Sequence, residues 1–256
     1  EGKMKWLGIS PSDISHILIT HQDTDHIGAV ESDSQGLFKN AMLYIGKIEN
    51  QYLIGKVRRK VMWHMYKLPQ VTIHNKKTLL DDNEVFYIND IKIECFLVPG
   101  HTWAYVYLID DKYLFTGDTI WLGLDGGYSF ISALAENNKI AVKSLCELET
   151  KLHNRNLSPL IITGHTGCTN NLDFAFAHKT ELCSPFSKKG YDPNAPYDAY
   201  DESDDTEKKF IISELKPILY FETSLFLYCG KNSVNCIKSA SFSDVAFIAF
   251  KLCSRF

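Results

Sequence analysis

Ile17-Leu18-Ile19-Thr20-His21-Gln22-Asp23-Thr24-Asp25-His26-Ile27-Gly28 is the stretch that decides how this chain reads. An apolar run of three residues, the signature of a short buried strand, stops at a cluster of two imidazoles and two carboxylates. Folding alone gives little reason to place four metal-competent side chains at a strand end. The bland alternative is a polar loop that caps a following helix, with Asp25 as the N-cap.

The rest of the chain repeats the pattern. Apolar runs end at Gly100-His101, at Gly117-Asp118 and at Gly164-His165, each in a glycine-containing turn. Glycine lets the backbone turn tightly there. Taken singly, His101 and His165 read equally well as turn residues, and Asp118 as a carboxylate that stabilises its own turn. Taken together, ligands at successive strand ends converge on one edge of a sheet. Imidazole nitrogen and carboxylate oxygen are the ligands of catalytic zinc. Seven candidates (His21, Asp23, Asp25, His26, His101, Asp118 and His165) suit two ions sharing one carboxylate. Two ions ~3.5–4 Å apart activate a bridging water and clamp an oxyanion.

In this order the motifs resemble those of the metallo-β-lactamase-fold hydrolase superfamily, over about residues 14–207. The family pattern is His-x-His-x-Asp-His after a strand, followed by later His, Asp and His ligands. The resemblance implies an α/β fold of the αββα sandwich type, two sheets flanked by helices. It implies a first ion held by His21, Asp23 and His101, and a second held by Asp25, His26 and His165. Asp118 would bridge them, as in the glyoxalase II, lactonase and ribonuclease Z branches. True β-lactamases usually carry Cys there, so Asp118 argues against antibiotic hydrolysis.

Three departures stand out. Asp23 replaces the usual second His; it is read as a ligand, with a solvent-facing side chain as the alternative, and its harder oxygen shifts preference toward iron or manganese. Trp103-Ala104-Tyr105 follows the Gly-His-Thr turn where relatives often have Pro-Gly-Ser. The family's opening hairpin, ending in Asp-Thr-Gly, is missing, so residues 1–208 are expected to form an N-terminally incomplete hydrolase domain. Residues 209–256 form an apolar tail with three open readings: strands that fill the missing edge, a poorly ordered tail, or an aberrant reading frame.

Elsewhere the sequence predicts helices over 29–40, within 47–68 and over 136–152. Strands are expected at 42–45, 85–88, 91–98, 105–109, 113–115 and 160–162. The basic run Lys56-Val57-Arg58-Arg59-Lys60 reads as a solvated helix face, or less favourably as a rim that attracts anionic substrates. Trp63, Met65 and Tyr66 read as packing residues, and Trp121, Tyr128 and Phe130 as pocket lining.

The chain has 256 residues, a formal charge of −4 and seven cysteines without a Cys-x-x-Cys pair. The charge disfavours nucleic acid as a partner. The odd cysteine count fits free thiols in a reducing compartment, with Cys168 an inert thiol. No apolar run reaches the ~20 residues of a membrane span. These features point to a cytoplasmic protein with a small-molecule substrate and no membrane partner; oligomeric state is not legible.

The expected function is metal-dependent hydrolysis by two divalent ions, zinc foremost with iron or manganese as alternatives. A bridging hydroxide would attack an ester, thioester, lactone or phosphodiester, with Asp25 and Asp118 as the catalytic carboxylates. The rivals are an iron-dependent oxidoreductase of the same fold, of the diiron or persulfide dioxygenase type, and a catalytically impaired fragment.

Overall fold

The computed structural model describes residues 9–28, 30, 37–183, 225–228 and 247–250. Strands come first: β1 (His16–Ile19), β2 (Met42–Gly46), β3 (Lys60–Val61), β4 (Tyr66–Lys67), β5 (Lys77–Leu80), β6 (Val85–Ile88), β7 (Ile91–Leu97) and β8 (Tyr105–Ile109). They continue with β9 (Tyr113–Gly117), β10 (Ile120–Leu122), β11 (Gly127–Ser129), β12 (Leu160–Thr163), β13 (Cys168–Thr169), β14 (His178–Leu182), β15 (Leu225–Tyr228) and β16 (Phe247–Phe250). The helices are α1 (Thr24–Ile27), α2 (Asn50–Leu53), α3 (Asn138–Asn154) and α4 (Leu172–Ala175). The fold is a mixed α/β arrangement with several sheets and few helices.

One sheet has the order β15-β16-β1-β2-β5 and another β13-β12-β9-β8-β7-β6. In the first, β1, β2 and β5 are parallel neighbours. β16 pairs antiparallel with β1 and β15 with β16, so two segments of the apolar 209–256 stretch lie at the β1 edge. The rest of that stretch lies outside the described residues, as do the acidic run 192–207 and positions 29 and 31–36.

The period-2 alternation of β8 divides the core. Tyr105, Tyr107 and Ile109 join a buried cluster with Ile17, Ile19, Leu43 and Ile45 of the first sheet. Val106 and Leu108 face the other way, into a cluster with Leu145, Leu148 and Leu152 of α3. These three α3 residues recur at i, i+3 and i+7, one face of a helix. Burying each leucine contributes about 1.5–3 kcal/mol. The Asn137 side chain caps α3 by accepting from the backbone N–H groups of Lys139 and Ile140, both at 3.1 Å. The helix therefore starts and ends two residues later than the sequence pattern suggests.

Three expectations need correction. Residues 37–40 form a turn, with no helix among the described part of 29–40. Residues 47–68 hold only the single turn α2 and then the β3–β4 hairpin. Met62, Trp63 and His64 take positive φ in the hairpin loop, which a helix forbids. Trp63, Met65 and Tyr66 consequently stand out from the surface, 55–66% exposed, rather than packing inside.

Candidate metal centre

β7 and β9 each run antiparallel to β8, and β12 runs parallel to β9. β7, β9 and β12 therefore point the same way, and His101, Asp118 and His165 follow their ends on one edge. β1 reaches the same edge from the other sheet: the Tyr105 N–H donates to the Thr20 carbonyl at 2.9 Å. At Gly117, φ is +51° and a Cβ would lie 2.7 Å from Thr20 Oγ1. Only glycine both adopts that conformation freely and lets the two strand ends touch.

The side chains gather into two triads, His21–His101–Asp118 and Asp25–His26–His165, with the donor atoms of each within 4.8 Å of one another. Asp118 belongs to both. Its Oδ1 lies 3.1 Å from His26 Nε2 and 3.3 Å from His165 Nε2. Its Oδ2 lies 3.5 Å from His101 Nε2 and 3.7 Å from His21 Nε2. Around the second triad, His26 Nε2 and His165 Nε2 are 3.1 Å apart. Asp25 Oδ2 sits 3.5 Å from the first of these nitrogens and 3.3 Å from the second. Donors ~2.0–2.1 Å from a tetrahedral ion stand about 3.3–3.4 Å apart, which is close to these edges.

The donor set fits a metal in a second way. His21 Nε2 is buried without a hydrogen-bond partner. Orphaned buried polar atoms are costly unless something else satisfies them. The other His21 nitrogen, Nδ1, lies 3.1 Å from Thr20 Oγ1, which fixes the ring so that Nε2 faces the centre. A helix-capping role is not what the cluster does: the N-cap of α1 is Asp23, and its side chain makes no capping bond.

The electrostatics reflect crowding of opposite charge. Burial opposes the charged form of His26, but Asp118 and Asp25 outweigh it and hold the imidazole up at about 9. Burial likewise opposes ionisation of Asp118, and His165 and His26 overcome it, keeping the carboxyl well below its usual range. Burial and the neighbouring His26 lower His21.

Asp23 lies beside the first triad rather than within it. Its Oδ2 is 3.0 Å from His101 Nε2 and 3.9 Å from His21 Nε2. Arg59 grips the same carboxylate, Nε donating to Oδ1 at 2.8 Å and Nη2 to Oδ2 at 2.9 Å. The solvated reading of the basic run holds for Lys56 and Arg58 and fails at Arg59, which is 2% exposed and belongs to the site. No local signal separates it from its neighbours. The available clue is chemical, since an extra carboxylate in a crowded site calls for a counter-charge.

Glu49 was also not legible. It is fully buried, and Oε1 accepts the Gln22 N–H at 2.8 Å, bracing the ligand loop from behind. Burial pushes its carboxyl up to about 8 from an ordinary 4.5. A raised folded-state value means that its contribution to stability is fully present below about pH 4.5 and is lost as pH rises through about 8. Glu49→Gln keeps the acceptor and removes the titration. Relative to wild type, it should gain up to about 4 kcal/mol between pH 5 and pH 8. Urea unfolding at the two pH values measures this; an unchanged difference would contradict it.

A cleft of about 330 Å³ opens over both triads. Trp121, Phe130, Ile131, Leu134, Val61 and Leu68 form its apolar wall, and Asp25, His101, Asp118 and His165 line its polar part. Phe130 packs edge-on against His101 with centroids 4.7 Å apart. Tyr128 does not line the cleft. It is buried, stacks on His178 at 4.5 Å and donates to Asp125 Oδ2 at 2.8 Å. Cys168 is disulfide-bonded rather than a free thiol. Its partner lies outside the described residues.

The described residues thus combine a mixed α/β fold with two neighbouring triads of metal-competent side chains and an aspartate placed between them. The profile of the "Metallo-beta-lactamase superfamily" matches residues 1–35. The chain is 26% identical over 110 residues to the "Probable polyketide biosynthesis zinc-dependent hydrolase PksB" of Bacillus subtilis (strain 168), covering 43% of this chain and 40% of that protein. It is 34% identical over 111 residues to "Hydroxyacylglutathione hydrolase" of Dictyostelium discoideum, covering 40% and 38%. Among solved structures it is similar to AidC, a dizinc quorum-quenching lactonase, at 25% identity and a TM-score of 0.49, covering 63% of this chain and 60% of that one. The chain spans about two fifths of the length of the curated relatives it matches. Among the described residues no helix is long and apolar enough to cross a membrane.

Proposed function

We propose that this protein is a metal-dependent hydrolase that holds two divalent ions and acts on a small-molecule ester, thioester, lactone or phosphodiester. The observation that carries the proposal is the division of Asp118, one oxygen facing each triad. We assign His21, His101, Asp118 and Asp23 to one ion and Asp25, His26, His165 and Asp118 to the other. Zinc is the preferred ion, since imidazole nitrogen dominates the donor set. Two curated relatives carry hydrolase names, and one of these names specifies zinc. We further propose that the two large sheets and their helices form an αββα sandwich built from residues 1–208, with the β15 and β16 segments of the apolar 209–256 stretch added at its β1 edge, and that the protein works in the cytoplasm.

Bound ions would supply Lewis acidity and a water of lowered pKa. The protein's own residues do the rest. The Trp121–Phe130 wall excludes water from one side of the cleft and takes the apolar part of a substrate. Asp25, whose side chain is 48% exposed, lines the cleft beside His165 and would help orient a water there. Thr20 and the packed Phe130 ring hold the His21 and His101 imidazoles in orientation.

The test is a panel of thioester, lactone, ester and phosphodiester substrates offered to protein loaded with zinc, iron or manganese. Turnover of at least one substrate class, abolished by a chelator and restored by zinc, is expected. Turnover indifferent to chelation, or oxygen consumption dependent on iron in place of hydrolysis, would contradict the proposal.

A further inference from the structure

Arg59 is the largest of the fully buried side chains and carries a full charge. Its guanidinium is saturated. Besides the two bonds to Asp23, Nη1 donates to the Lys60 carbonyl at 2.7 Å and Nη2 to the Leu134 carbonyl at 2.7 Å, while Nη2 also lies 3.3 Å from His101 Nε2. Glu136 Oε1 lies a further 3.8 Å from Nη1. A guanidinium anchored to two backbone carbonyls has one position only, and its planar fork transmits that position to the carboxylate it grips.

The carboxylate is held from a second side as well, because Gln22 Nε2 donates to Asp23 Oδ1 at 2.8 Å. Both external donors on Oδ1 turn Oδ2 toward the ring nitrogens of His101 and His21. The charge matters equally. Asp23 and Asp118 together bring two negative charges to the first triad. Arg59 cancels one, so that the Asp23–Arg59 pair presents an oxygen donor with no net charge. An unpaired carboxylate at this depth would be costly to bury.

Building on the dinuclear reading, we propose that Arg59 is a positioning residue that fixes Asp23 Oδ2 as the fourth donor of the His21–His101–Asp118 site and sets the zinc affinity of that site alone. Arg59 does not touch the Asp25–His26–His165 triad in any described contact, so its influence is confined to one ion of the two. The guanidinium serves as a support beside the Asp23 and His101 ligand atoms, the role that hydrogen-bond partners of metal ligands commonly fill at 10–100-fold in affinity.

Zinc titration of the full chain against a chromophoric chelator resolves the two affinities. For Arg59→Met, one affinity is expected to fall about 10–100-fold while the other stays within about threefold. Asp23→Asn is expected to weaken the same site. Arg59→Met leaves a buried carboxylate unpaired and is at risk of misfolding. The double variant Asp23→Asn/Arg59→Met removes both charges, should fold, and should show the same single-site loss. Variants that fold and bind both ions with unchanged or tighter affinity would overturn the proposal, the tighter result meaning that Arg59 merely repels cations. Loss of both sites together would also overturn it, since that is what a purely structural clamp would produce. A wild-type chain that binds no zinc would instead overturn the dinuclear reading beneath it.

Discussion

Asp118→Ala is expected to lose at least one ion per chain and to lower hydrolysis by about a thousandfold or more, about 4 kcal/mol of transition-state stabilisation. The reason lies in its two oxygens. Oδ1 is within 3.3 Å of the ring nitrogens of His26 and His165, and Oδ2 within 3.7 Å of those of His101 and His21. Among the described residues no other carboxylate reaches the imidazoles of both triads in this way, so alanine removes an oxygen from beside each. The fold should persist, because Asp118 lies in neither apolar cluster. Elemental analysis with thermal melting by circular dichroism checks both halves. Wild-type metal content in a folded variant would remove Asp118 from the bridging role.

Gly164→Ala should do comparable damage by sterics alone. A Cβ at position 164 would collide with Asp118 Oδ1 and lie 2.8 Å from His26 Cε1. The backbone cannot retreat easily, because the Gly164 N–H donates to the Gly117 carbonyl at 2.9 Å and ties the β12 and β9 ends together. Either those ends separate or the second triad opens. The expected result is loss of the Asp25–His26–His165 ion, activity down by about a hundredfold or more, and an overpacking cost of about 1–3 kcal/mol. Calorimetry and metal content decide it. A variant with two ions and full activity would show that the triad tolerates an expanded edge.

Much of this centre was legible because its ligands end strands. An apolar run that stops at an imidazole or carboxylate is a local pattern, and it occurs four times, three of them with glycine just before the ligand. Helix α3 was legible for the same kind of reason: Leu145, Leu148 and Leu152 keep helical spacing, and Asn137 supplies its cap. What stayed hidden depends on contacts between distant residues. Arg59 sits among Lys56, Arg58 and Lys60, and nothing in that run says which cation turns inward. Its burial is decided by Asp23, 36 residues earlier, and by the carbonyl of Leu134, 75 residues later. Glu49 is hidden likewise, since its partner is the backbone of Gln22. The segment 47–68 defeats periodicity because three successive positive φ values turn a plausible helix into a hairpin. Tyr128 was placed with Trp121 and Phe130 by sequence proximity, yet in β11 it sits two residues before Phe130 and packs instead against His178.

The pairing of Asp23 with Arg59 also bears on reaction class. A bare carboxylate in place of imidazole favours harder ions, iron or manganese among them. A carboxylate whose charge is cancelled by a guanidinium loses part of that preference, which supports the proposal of zinc and hydrolysis over iron and redox chemistry.

The central claim is that this chain holds two ions that share Asp118. Its most direct test is the metal content of the full chain after equilibration with zinc and desalting, measured by elemental analysis against protein concentration. Two zinc ions per folded chain are predicted. A folded chain that retains less than one would contradict the account.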